Sequence, residues 1–375
     1  MDITQFKTPG QYVTALLEDR GWSQRILSII LDIEEYKLNK VIHNKIAIDA
    51  GLALKLGDVF EVNPEDFLTI QKNYDLARAR IERQPDIGLA NRAHLFGKLP
   101  VSMMSKRGWI KIDNIKNVKH VESALAKFFK VSSPEEIEIL PHAPKKTNTV
   151  APINESQLAW LYRARQIAED ILVPQYFEKD IESLIAYLKN LLCSAEAIRK
   201  VPRILTEYGI RFVLIEHLPA SKIDGACFWL DTSSPVIALS TRYDRIDNFW
   251  FVLRHEIEHV KRRHGQKQII LDCNMETQDF ENIIEEEQIA NTESLEFCVP
   301  QQKLISFINR KNPFFKESDI LGFAKLLNIH PGIVIGQLQF KTRRYDIFRK
   351  YLVPVRRYII QNAYCDGWGE IYPFD

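Results

Sequence analysis

The chain has 375 residues, 46% of them hydrophobic and 26% charged, with a formal net charge of +1. That length leaves room for two or three domains, and the near-zero charge excludes a global bias toward polyanions, so any nucleic-acid surface must be local. Five scattered cysteines without a C-x-x-C pair exclude a disulfide frame and point to a reducing compartment; with no signal pattern and no 18-residue apolar run, a cytoplasmic protein without a membrane partner is expected.

Residues 9–75 carry the rhythm of five helices. Pro9-Gly10 opens the first, with Tyr12, Leu16 and Leu17 on its apolar side, and Gly21-Trp22-Ser23 breaks it. Ser23 caps a second helix in which Ile26, Leu27 and Ile30 are expected to face inward. Leu31 to Glu34 forms a tight turn. The third helix runs from about Glu35 to Ile42 with Leu38, Val41 and Ile42 inward, the fourth from Asp49 to Phe60, and Asn63-Pro64 starts a fifth.

Helix, short turn, helix suits a helix-turn-helix whose third helix enters the major groove. The outward candidates are Tyr36, Lys37, Asn39 and Lys40, followed by Lys45, with Gln24 placed to meet a phosphate. Lysine can read guanine or hold phosphate, and asparagine can pair with adenine. From Pro9-Gly10 through Gly21-Trp22-Ser23-Gln24 to Asn63-Pro64-Glu65-Asp66-Phe67 and Asn73 to Leu76, the segment resembles the HigA-type antitoxin helix-turn-helix domain. It departs where Asp32 replaces the common turn glycine and where Glu34 and Glu35 would face a phosphate wall. A bundle that binds protein alone is therefore the alternative.

Residues 76–120 hold ten Lys or Arg against three acids, which either extends a DNA footprint or is a solvated face. Gly108-Trp109-Ile110 is expected as a packed corner and Val118 to Phe129 as an amphipathic helix. Pro141 to Pro152 contains three prolines and few large apolar residues, so the main domain boundary is placed there, with His142 a loop residue. Residues 155–200 are helical, with Trp160, Leu161, Ile167, Ile171, Leu184, Leu188 and Leu191 at core spacing. Strands are predicted at 209–215, 225–230 and 235–240. An edge strand of such a sheet could hold an extended peptide, with Gly225-Ala226 as the place of close approach. Cys227 and Cys298 read as buried structural thiols.

The chemistry-bearing motif follows. Asp247 to Leu253 leads as an apolar helix into Arg254-His255-Glu256-Ile257-Glu258-His259. His255 and His259 lie one helical turn apart on one face, which lets both imidazoles reach one metal ion. Glu256 is rotated away from direct ligation and can act as general base, because zinc brings the pKa of a water it binds to about 7. A third ligand is needed. Glu287, Ala290, Asn291 and Ser294 share one lean helical face, and Glu287 is chosen over Glu285 and Glu286 on that ground. The alternative is two ordinary helix histidines in a degenerate site.

His255-Glu256-Ile257-Glu258-His259, then Glu287-Gln288-Ile289-Ala290-Asn291, closing at Phe297-Cys298-Val299-Pro300, resembles the ImmA/IrrE-type metallopeptidases. The resemblance implies zinc ligands at His255, His259 and Glu287 and the catalytic base at Glu256. This chain departs from the family's usual Phe-Ala at Glu293-Ser294. The stretch through His330-Pro331-Gly332 to Leu338 is similar to the family's tail, with His330 capping or packing rather than ligating. Residues 341–357 read as a basic solvated helix and Asp366-Gly367-Trp368-Gly369 as an ordered turn. Tyr243 is the one candidate for oxyanion stabilisation.

The expected fold is mostly α with a small α+β domain. It comprises a helix-turn-helix domain (1–75), a basic helical connector and linker (76–152), a zincin-like peptidase domain (153–340) and a basic extension (341–375). The expected function is a DNA-associated regulatory zinc endopeptidase that cuts a partner protein. By resemblance it serves a bacterial or phage transcriptional switch or a toxin–antitoxin module. Its expected partners are DNA, a protein substrate or cognate toxin or repressor, and a second copy in a homodimer. The alternative is a non-enzymatic regulator whose zincin-like body senses a ligand or partner.

Overall fold

The computed structural model describes residues 2–82, 96–97, 99–132, 145–146, 153–266, 270–273, 275 and 285–372. The chain divides into two compact units, 1–87 and 88–375. The division falls well before the proline-rich stretch at 141–152, of which only Lys145–Lys146 lies within the described residues; His142 lies outside them.

The first unit is five helices: α1 (Pro9–Arg20), α2 (Gln24–Leu31), α3 (Glu35–Ile42), α4 (Ala50–Phe60) and α5 (Pro64–Glu82). Local chemistry sets their starts. Thr8, Ser23 and Asp49 each accept a hydrogen bond from a first-turn backbone N–H. Tyr12, Leu16, Leu27, Leu38, Leu56 and Phe67 fill the core. Gly10 is needed because α1 crosses α3 so closely that a Cβ there would lie 1.8 Å from the Ile42 carbonyl oxygen. One expectation fails: Ile26 and Ile30 are exposed, with Ile29, while Leu27, Ser28 and Leu31 face inward. The buried stripe of α2 lies on the 27–31 diagonal, and three isoleucines beside it left that face ambiguous.

The second unit is built on a mixed sheet of order β1-β5-β3-β4-β2-β6. Its strands are β1 (Lys145–Lys146), β2 (Arg211–Ile215), β3 (Ile223–Trp229), β4 (Pro235–Leu239), β5 (Ile270–Cys273) and β6 (Tyr364–Asp366). β3 is antiparallel to both β4 and β5, whereas β2 runs parallel to β4 and β6. Helices cover both faces, which is why β3 and β4 are buried throughout and read as continuous apolar runs. Side chains alternate between two cores. Val213, Ala226, Phe228 and Ala238 pack against α6 (Val101–Lys106), α7 (Val118–Phe129) and α8 (Glu155–Asp170). Leu214, Cys227, Ile237 and Leu239 face the opposite core, which contains the remaining helices. Those are α9 (Ile181–Lys189), α10 (Val201–Glu207), α11 (Ile246–Lys261), α12 (Glu285–Cys298), α13 (Gln301–Lys311), α14 (Glu317–Leu327), α15 (Pro331–Thr342) and α16 (Arg356–Ile359).

Two expected separate segments belong to this unit. The basic connector ends in α6 and α7, whose Met104, Trp109, Leu125 and Phe129 are core residues. The basic extension is no single solvated helix: after α15 it runs irregularly to α16 and adds β6 to the sheet, burying Val355, Ile359 and Cys365. Asp366 explains the tie. Buried at the end of β6, it accepts from Trp109 Nε1 at 2.7 Å and Arg163 Nε at 2.7 Å, joining three distant parts of the sequence.

Candidate metal centre

α11 begins after Arg245, with Asp247 in its positive first turn and Lys261 near its negative end. From Val252 to Val260 every residue is buried. Apolar lead-in residues Phe249, Trp250 and Leu253 anchor it in the core, which presses the polar motif against the sheet and against α12. α12 meets it with Glu287, Ala290, Asn291 and Ser294, all buried. This lean face is what lets a carboxylate on one helix reach two imidazoles on the other.

The structure brings His255, His259 and Glu287 together and adds a fourth group, Asp272 on β5. His255 Nε2 and His259 Nε2 face each other at 2.9 Å. Glu287 lies 3.1 Å from the first and 3.2 Å from the second; Asp272 Oδ2 lies 3.4 Å and 3.8 Å from them. Four donors at about 2.0–2.1 Å around a tetrahedral zinc ion would stand about 3.3 Å apart. The observed spacings bracket that value, and all four residues are fully buried.

The donor set itself argues for a cation. Two carboxylates in a dry site are costly unless a charge compensates them. Both oxygens of Glu287 and Nδ1 of His255 lack a hydrogen-bond partner. Burial would lower the pKa of His255, but the carboxylates of Asp272 and Glu287 overcome it and raise it to about 10. That is the electrostatic signature of a place built for positive charge. Behind the cluster, His259 Nδ1 sits 3.0 Å from His264 Nδ1, which fixes the ring orientation from the outer side.

Glu256 is not one of the four grouped donors, but its carboxyl meets that of Asp272. It is fully buried, and burial, followed by Asp272 and Glu287, raises its pKa well above the ordinary carboxyl value. Its room is carved out by Gly225 on β3: a Cβ there would lie 2.1 Å from Glu256 Oε1. The close approach at Gly225 is thus made by the protein's own carboxylate. β3 is an interior strand, and β1 pairs with β5 at Ile270 and Leu271. An apolar cavity does open nearby, lined by Phe251, Met275, Leu295, Cys298 and Ile333, with Phe251 one helical turn before His255.

Residues 206–319 match the family model of the IrrE N-terminal-like domain, Peptidase_M78. No curated protein and no solved structure matches the chain. The matched span runs from the end of α10 into α14 and contains all four donors and Glu256. Within the domain, the departure at Glu293-Ser294 has local compensation. Arg254, itself buried, donates to Glu258 at 2.9 Å and to Glu293 at 3.2 Å, and Ser294 donates to the Ala290 carbonyl. Burial would raise Glu258, but Arg254 and then Arg262 outweigh it and hold the carboxyl below its usual range.

Other candidates have other places. His330 caps α15 by accepting from the Gly332 N–H. Burial pushes the Cys227 and Cys298 thiols upward, which suits packing rather than nucleophilic attack. Tyr243 lies beneath the Arg242 guanidinium, 4.6 Å from its ring centre. In the first unit, Tyr36, Lys37, Asn39 and Lys45 are exposed, and Gln24 and Lys40 half-buried. Asn39 Nδ2 donates to Gln24 Oε1, Lys40 lies over the Tyr36 ring, and Lys37 pairs with Glu34.

Asp272 escaped sequence reasoning. It sits in a four-residue strand without readable periodicity and reaches the cluster only through long-range pairing with β3. No helical spacing could have signalled it.

Proposed function

We propose that this protein is a regulatory zinc endopeptidase associated with DNA, acting in a bacterial or phage transcriptional switch or a toxin–antitoxin module. The observation that carries the enzymatic part is the buried cluster of His255, His259 and Glu287 beside a fully buried Glu256, inside the matched span. A zinc ion held there would polarise a peptide carbonyl and make water acidic enough to attack at neutral pH. The chain's own residues supply the rest. His255 and His259 hold their rings one turn apart, Glu287 closes the third side, and His264 steadies the ring of His259. Glu256 takes the proton of the attacking water at a carboxylate oxygen and delivers it to the leaving amine. The apolar cavity beside Phe251 would seat a substrate side chain.

The first unit is read as a helix-turn-helix. Support comes from the αL residue Asp32 between α2 and α3 and from the exposed Tyr36, Lys37 and Asn39 on α3. Its role would be to bring the peptidase to DNA or to a DNA-bound regulator. The non-enzymatic reading has one observation in its favour, since four protein donors are what a closed structural zinc site presents. Against it stands Glu256. A structural site has no use for an acid fully buried beside its ligands, and such a group is costly to keep.

The test is N-terminal peptide profiling of cells expressing wild type or Glu256→Gln. New protein termini that appear with wild type and vanish with the variant are expected. Identical profiles, with both proteins metal-loaded, would remove the enzymatic reading.

A further inference from the structure

A peptidase centre needs three protein donors and one position left for water or substrate. Here that position faces Asp272. We infer that Asp272 is an intrasteric fourth ligand, which closes the metal centre in the resting protein and must withdraw for the site to accept a substrate. This deepens the peptidase reading and rests on it.

The backbone aims Asp272 inward by a specific device. Asp272 pairs with Gly225, and Cys273 pairs with Ile223, so the register shifts between these two pairs and leaves Asp224 as the extra residue on β3. Such a bulge re-aims a side chain. Gly225 faces α11, because its missing Cβ makes room for Glu256; its cross-strand partner Asp272 shares that face, and Leu271 takes the other with Ala226. A slip of one residue would turn Asp272 away from the cluster.

The bulge residue also fastens the strand. Asp224, almost fully buried, accepts from the Met275 N–H at 2.8 Å, three residues past Asp272. Arg242 holds the same carboxylate, with Nη2 at 3.1 Å from Oδ1. β5 is otherwise short, tied by β3 on one side and by two residues of β1 on the other. Asp272 sits on a strand rather than on either of the helices that bear the other donors. It touches the donors without being carried by either metal-binding helix, so it can leave while His255, His259 and Glu287 stay in place. The retained Glu256, with its own space cut into β3, separates this arrangement from a permanently closed structural site.

The test uses the full chain loaded with cobalt(II), whose visible spectrum reports the number and kind of its ligands, and azide as the added probe. Wild type, Asp272→Ala and the near-isosteric Asp272→Asn are compared, with circular dichroism checking the fold of each. In wild type, one cobalt per chain and a spectrum indifferent to azide are expected. The variants should retain cobalt and show a spectral shift that saturates with azide. If folded wild type responds to azide as the variants do, Asp272 does not close the site and the inference falls while the metal site stands. If none of the three retains cobalt or zinc, the metal reading itself has failed.

Discussion

At the residue scale, the site depends on space as much as on ligands. Glu256 occupies a volume that only a glycine at 225 leaves free. Gly225→Ala should displace the carboxylate or the strand and cost about 1–3 kcal/mol, the usual range for overpacking. Denaturant unfolding checks this, and wild-type stability with an unchanged metal site would contradict it. Arg254 offers a comparison within one side chain. Its contact with Glu258 is buried, whereas Glu293 is 46% exposed. Glu293→Ala should therefore change stability by no more than about 1 kcal/mol. Arg254→Ala should cost several times more, toward about 3 kcal/mol, because it strands a buried carboxylate that Arg262 only partly compensates. Equal losses in the two variants would show that burial does not govern this network.

At the element scale, much was readable where chemistry is local. Ser23 marks a helix start by its side-chain oxygen, and the cap is present. Val118 to Phe129 spans α7 because its apolar residues recur at helical spacing. His255 and His259 stand on one face of α11 by the same periodicity, and the small residues after Glu287 announce a close helix pair. What could not be read depends on pairing across the chain. β5 and β6 are four and three residues long, below the length at which alternation becomes visible, and they become strands only because β3 and β2 template them. Asp366 and Asp272 take their roles from those pairings. The misread face of α2 has a different cause, since three isoleucines beside the true stripe give two plausible inward faces.

His330 gives an element-scale prediction with a pH sign. Its neutral Nδ1 accepts from Gly332 N–H, and burial lowers its pKa below the ordinary histidine value. The unfolded chain then binds this proton more readily than the folded one. The cap's contribution is present above the unfolded pKa and is lost as pH falls through the folded one. His330→Asn keeps a capping oxygen but cannot titrate, so its stability should fall less than wild type's between neutral and mildly acidic pH. Parallel pH profiles from thermal unfolding would contradict the assignment.

At the scale of the whole molecule, the chain divides into two compact units. If the first binds DNA through α3, Lys37→Ala should weaken binding to any sequence and flatten its salt dependence. Asn39→Ala should instead relax discrimination between operators. Fluorescence anisotropy across a salt series separates the two, and absence of binding even at low salt would remove the DNA role. No described helix is long and apolar enough to cross a membrane. In the second unit, three sequence-distant elements, α11, α12 and β5, converge on one buried point. Asp272→Ala should raise cleavage of any substrate found by terminus profiling, and adding Glu256→Gln should abolish it.

The most direct measurement is zinc content per folded chain after exhaustive dialysis, for wild type against Glu287→Ala and His259→Ala. A single retained equivalent in wild type, lost or sharply weakened in both variants, is the predicted result. A wild-type protein that folds fully and retains no zinc when loaded, or variants that hold it as firmly as wild type, would contradict the metal centre on which the functional reading stands.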